Sequence, residues 1–512
     1  AKIHQLMHAD EIEMRLSLAP LISGKVVVEG IRVEKPVFAF ERLATGTGTW
    51  QLEPRIALDE VVDVETVSVA GIEIVDGTIV LADGRRGGAA KIEDVDAELS
   101  APTLAGPWRV RGLMSYGGQR VSAGLTTGKF QRAGPVRFAV RLAPEETSGA
   151  IYSFDGILGD NNQGVTGKLK VRPSIRSRKK KQDPNSRPAM VFKADMEADF
   201  GEVRFKKIEI APDDVTDAAN LLTGAARVRL GSTIRIDTKL EASRFDVDEM
   251  TASRGHAYVF SGQVFPLLAD MLGTLPSRVE GDVKLSVTSL VFGGEVLDGV
   301  KLHAEIEQDR LRINTLEGSM PGQTRGRFVG SFLPAGEASQ LSGDVQLNSL
   351  SLRDFVNWAA ADSRKEVVKV WSGARGRLKL TGKLDVASNR TRLSDGQFTF
   401  DDATGSGNFL IAGGDQPALS ARVVVDSLNV DRYAPGGLTP EAIDDGLLAG
   451  AVDLAGKAMQ AGEFGLKLQA DFLTLHGVTG EDIAIDIAAN ADGIEFRTLE
   501  IGRVGDARLD VA

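Results

Sequence analysis

His4 and His8 stand four residues apart, a spacing that sets two imidazoles on one helix face around zinc. Gln5 occupies the place where a zinc hydrolase carries its glutamate, so the two read as surface histidines rather than ligands. The run "GDNNQGVT" (159–166) has the glycine spacing of a phosphate loop. Val165 and Thr166 replace the lysine and hydroxyl residue that would hold phosphate and magnesium, so it reads as a polar hairpin connection. Asp395, Asp401 and Asp402 in "DGQFTFDDATGSGN" lack calcium-loop spacing and read as exposed turn carboxylates. No nucleophile elbow of the form Gly-x-Ser-x-Gly and no Gly-x-Gly-x-x-Gly fingerprint occurs. The chain has no cysteine, which excludes disulfides, thiolate catalysis and cysteine zinc sites. Trp50, Phe355 and Trp358 are the aromatics a ligand site would use, but at such positions aromatics more often fill core. The expectation is therefore a chain with no catalytic residue, no metal, no cofactor and no enzymatic activity.

The elements that would position any site are strands. Alternation of apolar and polar residues fills the chain, as in "KLHAEIEQDRLRIN", where Leu302, Ala304 and Ile306 face one way and Lys301, His303 and Glu305 the other. Val228, Leu230, Ile234 and Ile236 repeat the pattern, and so do Ile483, Ile485 and Ile487. A strand with one oily and one wet face is the signature of antiparallel sheet. "SGKVVVEGIRVEKPVFAFER" (23–42) reads as two or three strands with short joints at Gly30 and Pro36. Asp76-Gly77, Asp83-Gly84, Asp395-Gly396 and Asp492-Gly493 read as turns between strands. Three segments read as short helices: 213–224, 262–275 and 351–371, the last with Phe355, Trp358 and Ala359 at helical spacing.

The chain also repeats itself. At an offset of 183 residues, 295–325 falls on 478–508 without a gap. Val300 meets Ile483, Leu302 meets Ile485, Leu311 meets Ile494 and Ile313 meets Phe496, and the triplet Thr315-Leu316-Glu317 meets Thr498-Leu499-Glu500. The same offset lays "SRFDVDEM" (243–250) on "DSLNVDRY" (426–433), and duplication accounts for the unbroken spacing. The basic run "RPSIRSRKKKQDPNSRP" (172–188) is almost free of apolar residues and reads as a disordered loop. The expected division is a β region over 1–171, that loop over 172–188, one β-repeat over 189–385 and a second, truncated one over 386–512.

Composition narrows the partners. A net charge of −11 argues against nucleic acid, because neutralising phosphates needs a basic face. No stretch of some 18 apolar residues is long enough to span a bilayer as a helix. The chain opens on Ala1 and stops inside "ARLDVA", an apparent strand, so we read it as a piece of a longer protein with an anchor or signal upstream.

The flanked opening stretch "IEMRLSLAPLISGKVVVEGIRVEKPVFAFERLATGTGTWQL" (12–52) resembles the AsmA family of bacterial envelope proteins. The likeness lies in the "RLSL" strand, the Leu-Ile-Ser-Gly turn, the strand ending in Lys35-Pro36, the "F.FER" strand, a glycine turn and Trp50; Thr49 stands where members often carry asparagine. Residues 71–112 and "DSLNVDRYAP" (426–435) are similar to the family as well. The resemblance implies an inner-membrane helix anchor, a periplasmic body, outer-membrane partners and kinship with chorein-type bridge proteins, whose curled sheet carries phospholipid on an apolar concave side. It supplies no catalytic residues.

The resulting expectation is a mainly β protein. Its repeated antiparallel β-units form an elongated curled sheet with an apolar groove and few short helices. Its function would be non-enzymatic transfer of phospholipid in outer-membrane assembly. Val300, Leu302, Ile306, Leu311, Ile313, Ile483, Ile485, Ile487, Ile494 and Phe496 would contact the acyl chains. The rival is a scaffold or adhesin of closed β-sandwich repeats, which would bury the oily faces against each other.

Overall fold

The computed structural model describes residues 6–22, 27–43, 48–49, 68–84, 88–130, 134–145, 149–159, 164–174, 190–199, 201–213, 220–251, 272, 278–307, 310–335, 339–359, 376–387, 390–412, 418–432, 463–490, 493–504 and 507–509. The chain divides into two units, Ala1–Lys239 and Leu240–Ala512. Both are open, curled sheet with very little helix.

Unit one begins with β1 (Met7–His8), β2 (Glu11–Leu16), β3 (Val27–Glu34), β4 (Val37–Arg42) and β5 (Ser68–Asp83). It continues with β6 (Gly88–Ala101), β7 (Arg109–Tyr116), β8 (Gln119–Thr127), β9 (Val136–Pro144) and β10 (Ala150–Leu158). Then come β11 (Val165–Pro173), β12 (Met190–Ala198), β13 (Glu202–Pro212) and β14 (Leu222–Arg229), and the division falls within β15 (Ile234–Asp246). From β5 to β14 each strand pairs antiparallel with the next. The 23–42 stretch does give two strands, but they do not form a hairpin. β3 and β4 lie end to end along β5, both parallel to it, with Lys35-Pro36 as the joint.

Unit two carries β16 (Val279–Phe292), β17 (Glu295–Ile306), β18 (Leu311–Met320), β19 (Thr324–Leu333), β20 (Gln340–Ser349), β21 (Leu378–Ala387) and β22 (Arg390–Phe400). β23 (Ala403–Ala412), β24 (Ala418–Asn429), β25 (Glu463–Leu475), β26 (Val478–Asn490), β27 (Gly493–Val504) and β28 (Ala507–Leu509) complete it. Neighbours pair antiparallel except β24 and β25, which run parallel.

Several expectations need correction. Asp76 and Asp395 are not turns. Each is left-handed (φ 54° and 52°) inside a continuous strand, where the pairing register shifts by one residue. An Asp-Gly pair tolerates that conformation equally well in a bulge, and the chain runs on in the same direction. Asp83-Gly84 does close a strand end, while Asp492 lies outside the described residues. The helix read over 213–224 fails in its described part. Leu222, Thr223 and Gly224 pair with Ile210, Glu209 and Ile208 of β13, so sheet pairing overrides local helix signals. The 351–371 helix is observed over Leu352–Ala359, and of 262–275 only Leu272 is described. The expected boundaries at 171 and 385 fall inside β11 and β21, because hairpin pairing runs straight through both. Most of the 172–188 run lies outside the described residues.

The 183-residue offset survives in three dimensions. β16, β17 and β18 correspond to β25, β26 and β27 with ends agreeing to within a residue or two. Val287 pairs with Val300 as Ala470 pairs with Ile483, and Leu302 pairs with Leu316 as Ile485 pairs with Leu499. The register shift between His303 and Ala304 recurs between Asp486 and Ile487. The left-handed pair Gly293-Gly294 that turns β16 into β17 recurs as His476-Gly477. In both places one carboxylate caps the turn. Asp248 accepts from the N–H groups of Gly293 and Gly294 at 2.8 and 2.7 Å, and Asp431 from those of His476 and Gly477 at 2.6 and 2.7 Å.

Candidate functional site

Pairing lines apolar side chains up across strands, about 4.8 Å apart at each step. In unit two one row runs Val283, Ala304, Ile313, Gly330, Gly343, Leu384, Leu393, Phe409, Ala421, Leu466, Ile487, Phe496, each paired directly with the next. Every member is apolar or glycine, over about 50 Å of sheet. In unit one a row of the same kind runs Met14, Ile31, Ile72, Leu99, Val110, Leu125, Val140, Phe154, Leu169, Ala194.

Glycines in and beside these rows make room for aromatic rings. A Cβ on Gly330 would lie 2.7 Å from the Phe328 ring, and one on the opposite Gly343 2.9 Å from it. Phe154 covers Gly156 and its partner Gly167 in unit one in the same way, with a Cβ on Gly167 2.6 Å from the ring. Each phenyl ring therefore lies along the sheet instead of standing off it.

Nine of the ten residues expected to contact lipid share this apolar side but not one environment. Leu311 and Ile313 are buried in a cluster with Phe328, Phe332, Val345 and Val386, and Leu272 packs onto it. Leu302 and Ile306 are half-buried against that cluster. Val300 packs against Phe292, Leu297 and Trp358, whose indole N–H donates to the Phe292 carbonyl at 3.0 Å; Phe355 and Trp358 are therefore core. Ile483 is buried with Ala403, Val425 and Ala470, and Ile485 is half-buried beside them. Ile487 is half-buried, Phe496 is 65% exposed, and the side chain of Ile494 lies outside the description. The uniform track expected from alternation is thus closed near Ile313 and open near Ile487. The alternation passed over Leu384, Leu393, Phe409 and Leu466, which belong to the same row; the period-two pattern in "RLKLTGKLDV" was the signal for Leu384.

Polar groups gather on the other side. Among the described residues one cluster brings metal-ligating atoms within 4.8 Å of one another: Asp282, His303 and Glu305. All three already have partners. His303 Nε2 is 2.6 Å from Asp282 Oδ2, Lys284 is 3.2 Å from Asp282 Oδ1, and Arg312 and Asn314 both donate to Glu305. Burial pushes the Asp282 carboxyl up, but hydrogen bonds from His303 and Lys284 outweigh it and leave the pKa below the usual value. Asn314, then Arg312, lowers that of Glu305. With its lone pairs taken by cations and an amide, the cluster is an ion-pair network rather than a metal centre. At the repeat offset its acids become Gly465 and Ala488.

The other sequence candidates disperse. His4 and Trp50 lie outside the described residues, and His8 is exposed on β1. Gly159 N–H donates to the Gly164 carbonyl at 2.9 Å, closing a hairpin connection between β10 and β11. Asp395 pairs with Lys383 at 2.9 Å and Asp402 with Arg432 at 2.7 Å, while Asp401 accepts from the Arg377 N–H at 2.7 Å. Among the described residues no helix is long and apolar enough to cross a membrane. No family model, no curated protein and no solved structure matches the chain.

Proposed function

We propose that the chain carries phospholipid acyl tails along its apolar rows, without catalysing a reaction. One observation carries this reading. The row through Leu384, Leu393, Phe409, Ala421, Leu466 and Ile487 is unbroken and apolar, yet its side chains are only half-buried and Phe409 is exposed. A closed sandwich would bury such a row, so the scaffold reading accounts for it less well. A continuous uncovered apolar strip is a binding surface by default. Acyl chains suit it, since each CH2 removed from water contributes about 0.8 kcal/mol and no polar partner is required. The proposal includes a bacterial periplasmic placement, an inner-membrane tether and outer-membrane partners. Those parts rest on the resemblance of 12–52, 71–112 and 426–435 to the AsmA family.

The test uses Ile487, which lies in the open part of the row and outside the buried clusters. Ile487→Ala should leave bound phospholipid, measured by mass spectrometry of the purified chain, near the parent level. Ile487→Asp should deplete it several-fold, because an ionised carboxylate is costly to bring against hydrocarbon. Circular dichroism and the urea midpoint establish that both variants fold. A folded aspartate variant with the parent's lipid content sinks the proposal.

A further inference from the structure

The polar face of unit one gathers cations that lie far apart in sequence. Register places Arg111, Gly124, Arg141, Ser153 and Lys170 in one row across β7 to β11. The next row is Arg109, Thr126, Ala139, Asp155 and Lys168. Gly124 lies in the upper row with nothing within 4 Å of where its Cβ would be. Arg109, Arg111, Arg141, Lys168 and Lys170 are all exposed, and among the described residues none forms an ion pair. Carboxylates do face the patch. Glu98 lies opposite Arg111, Asp155 stands within it, and Asp195 lies opposite Lys168 but is 3.4 Å from Lys207. Lys170 is also directly opposite Lys193, which Glu209 approaches at 3.9 Å. Facing like charges destabilise a sheet. A chain of net charge −11 that masses cations on one exposed face has a complementary anion to meet there.

We propose that this face docks on a bilayer surface of anionic phospholipid head groups. The geometry favours a surface over a single phosphate. Cations stand on alternate strands, β7, β9 and β11, about 10 Å apart along the sheet, an extended array that matches several neighbouring head groups. Nucleic acid fits less well, since neither row contains an aromatic on which a base would stack. The docking is separate from the apolar row and concerns the opposite side of the sheet.

The experiment is vesicle co-sedimentation of the full chain. One set of vesicles is phosphatidylcholine alone; the other carries about a third phosphatidylglycerol. The chain should prefer the anionic set and be released by salt. Replacing Arg111, Arg141 and Lys170 together by Gln should weaken that binding about 100-fold, roughly fivefold per charge. The comparison variant replaces Arg325, Arg327 and Lys379 of unit two by Gln, and should bind like the parent. Ile487→Asp should keep salt-sensitive binding, so failure of the docking surface and failure of the lipid row are read separately. Unaltered binding of the triple Gln variant overturns the proposal, as does an equal loss in the unit-two variant. A single-stranded oligonucleotide retained at a salt concentration that strips the chain from anionic vesicles overturns it too, by assigning the patch to another partner.

Discussion

The segments 279–333 and 463–509 are the same piece of backbone with different cover. In the first, Ile313 is 5% exposed beneath Phe328 and Phe332; at the matching place in the second, Phe496 is 65% exposed. β19 offers ten residues to β18, whereas the described part of β28 offers three to β27. Between the copies, turn geometry, left-handed positions and register are kept while side-chain volumes change. The backbone features fix the sheet, and the side chains vary upon it.

The largest expected effect separates the two covers. Ile313→Ala should cost about 2–5 kcal/mol in urea unfolding, through lost burial and a residual cavity. Phe496→Ala at the matched place should stay within about 0.5 kcal/mol. Equal costs would mean the two positions have the same cover in solution. Next come the turn caps. Asp248→Ala removes a carboxylate that accepts from two backbone N–H groups and should cost about 1–2 kcal/mol. Asp431→Ala should shift the unfolding midpoint in the same direction, and no shift in either would show the repeated cap to be energetically idle. The smallest effect is the pH dependence of the second cap. The Gly477 N–H above all, and then that of His476, hold the Asp431 carboxyl below its usual pKa. A lowered folded-state pKa contributes stability that is present above the unfolded value, about 4, and lost as pH falls through the folded one. The gap in urea midpoint between the parent and Asp431→Ala should therefore narrow on acidification below about pH 4. A constant gap would mean the carboxylate charge plays no part.

The sheet was legible because period-two alternation is a local signal. Lys301 to Ile306 shows which side chains share a face without any knowledge of neighbours. The repeat was legible for a related reason: a constant offset needs no three-dimensional information. Asp76 and Asp395 misled because the left-handed backbone of Asp-Gly serves a turn and a bulge alike, and only the partner strand distinguishes them. The parallel seam of β24 with β25 and the end-to-end placement of β3 and β4 left no local mark, since direction is set by the path between strands. The apolar row was half legible. Alternation identified Ile313 and Ile487, but whether a row is covered depends on residues such as Phe328 and Leu272 arriving from elsewhere. The cationic face was missed because Arg109, Arg111, Arg141, Lys168 and Lys170 become neighbours only through register. The alternating Arg-x-Arg of β7 and Lys-x-Lys of β11 were its traces in the sequence.

The parallel seam has a kinetic consequence. Across most of unit two, contacts are between strands joined by short turns, as where Phe292 meets Glu295, and such hairpins form within microseconds. At the seam Ala418 meets Glu463, so a loop of over forty residues must close before the first bond there is made. Loop closure of that length is entropically unfavourable and rewarded only late, which lowers the rate for non-local pairing. The strands up to β24 and those from β25 onward should thus zip as separate local events, with their union as the slow step of assembly. A chain caught before that step presents an unpaired edge at Ala418–Asn429, the place where aggregation during refolding would begin.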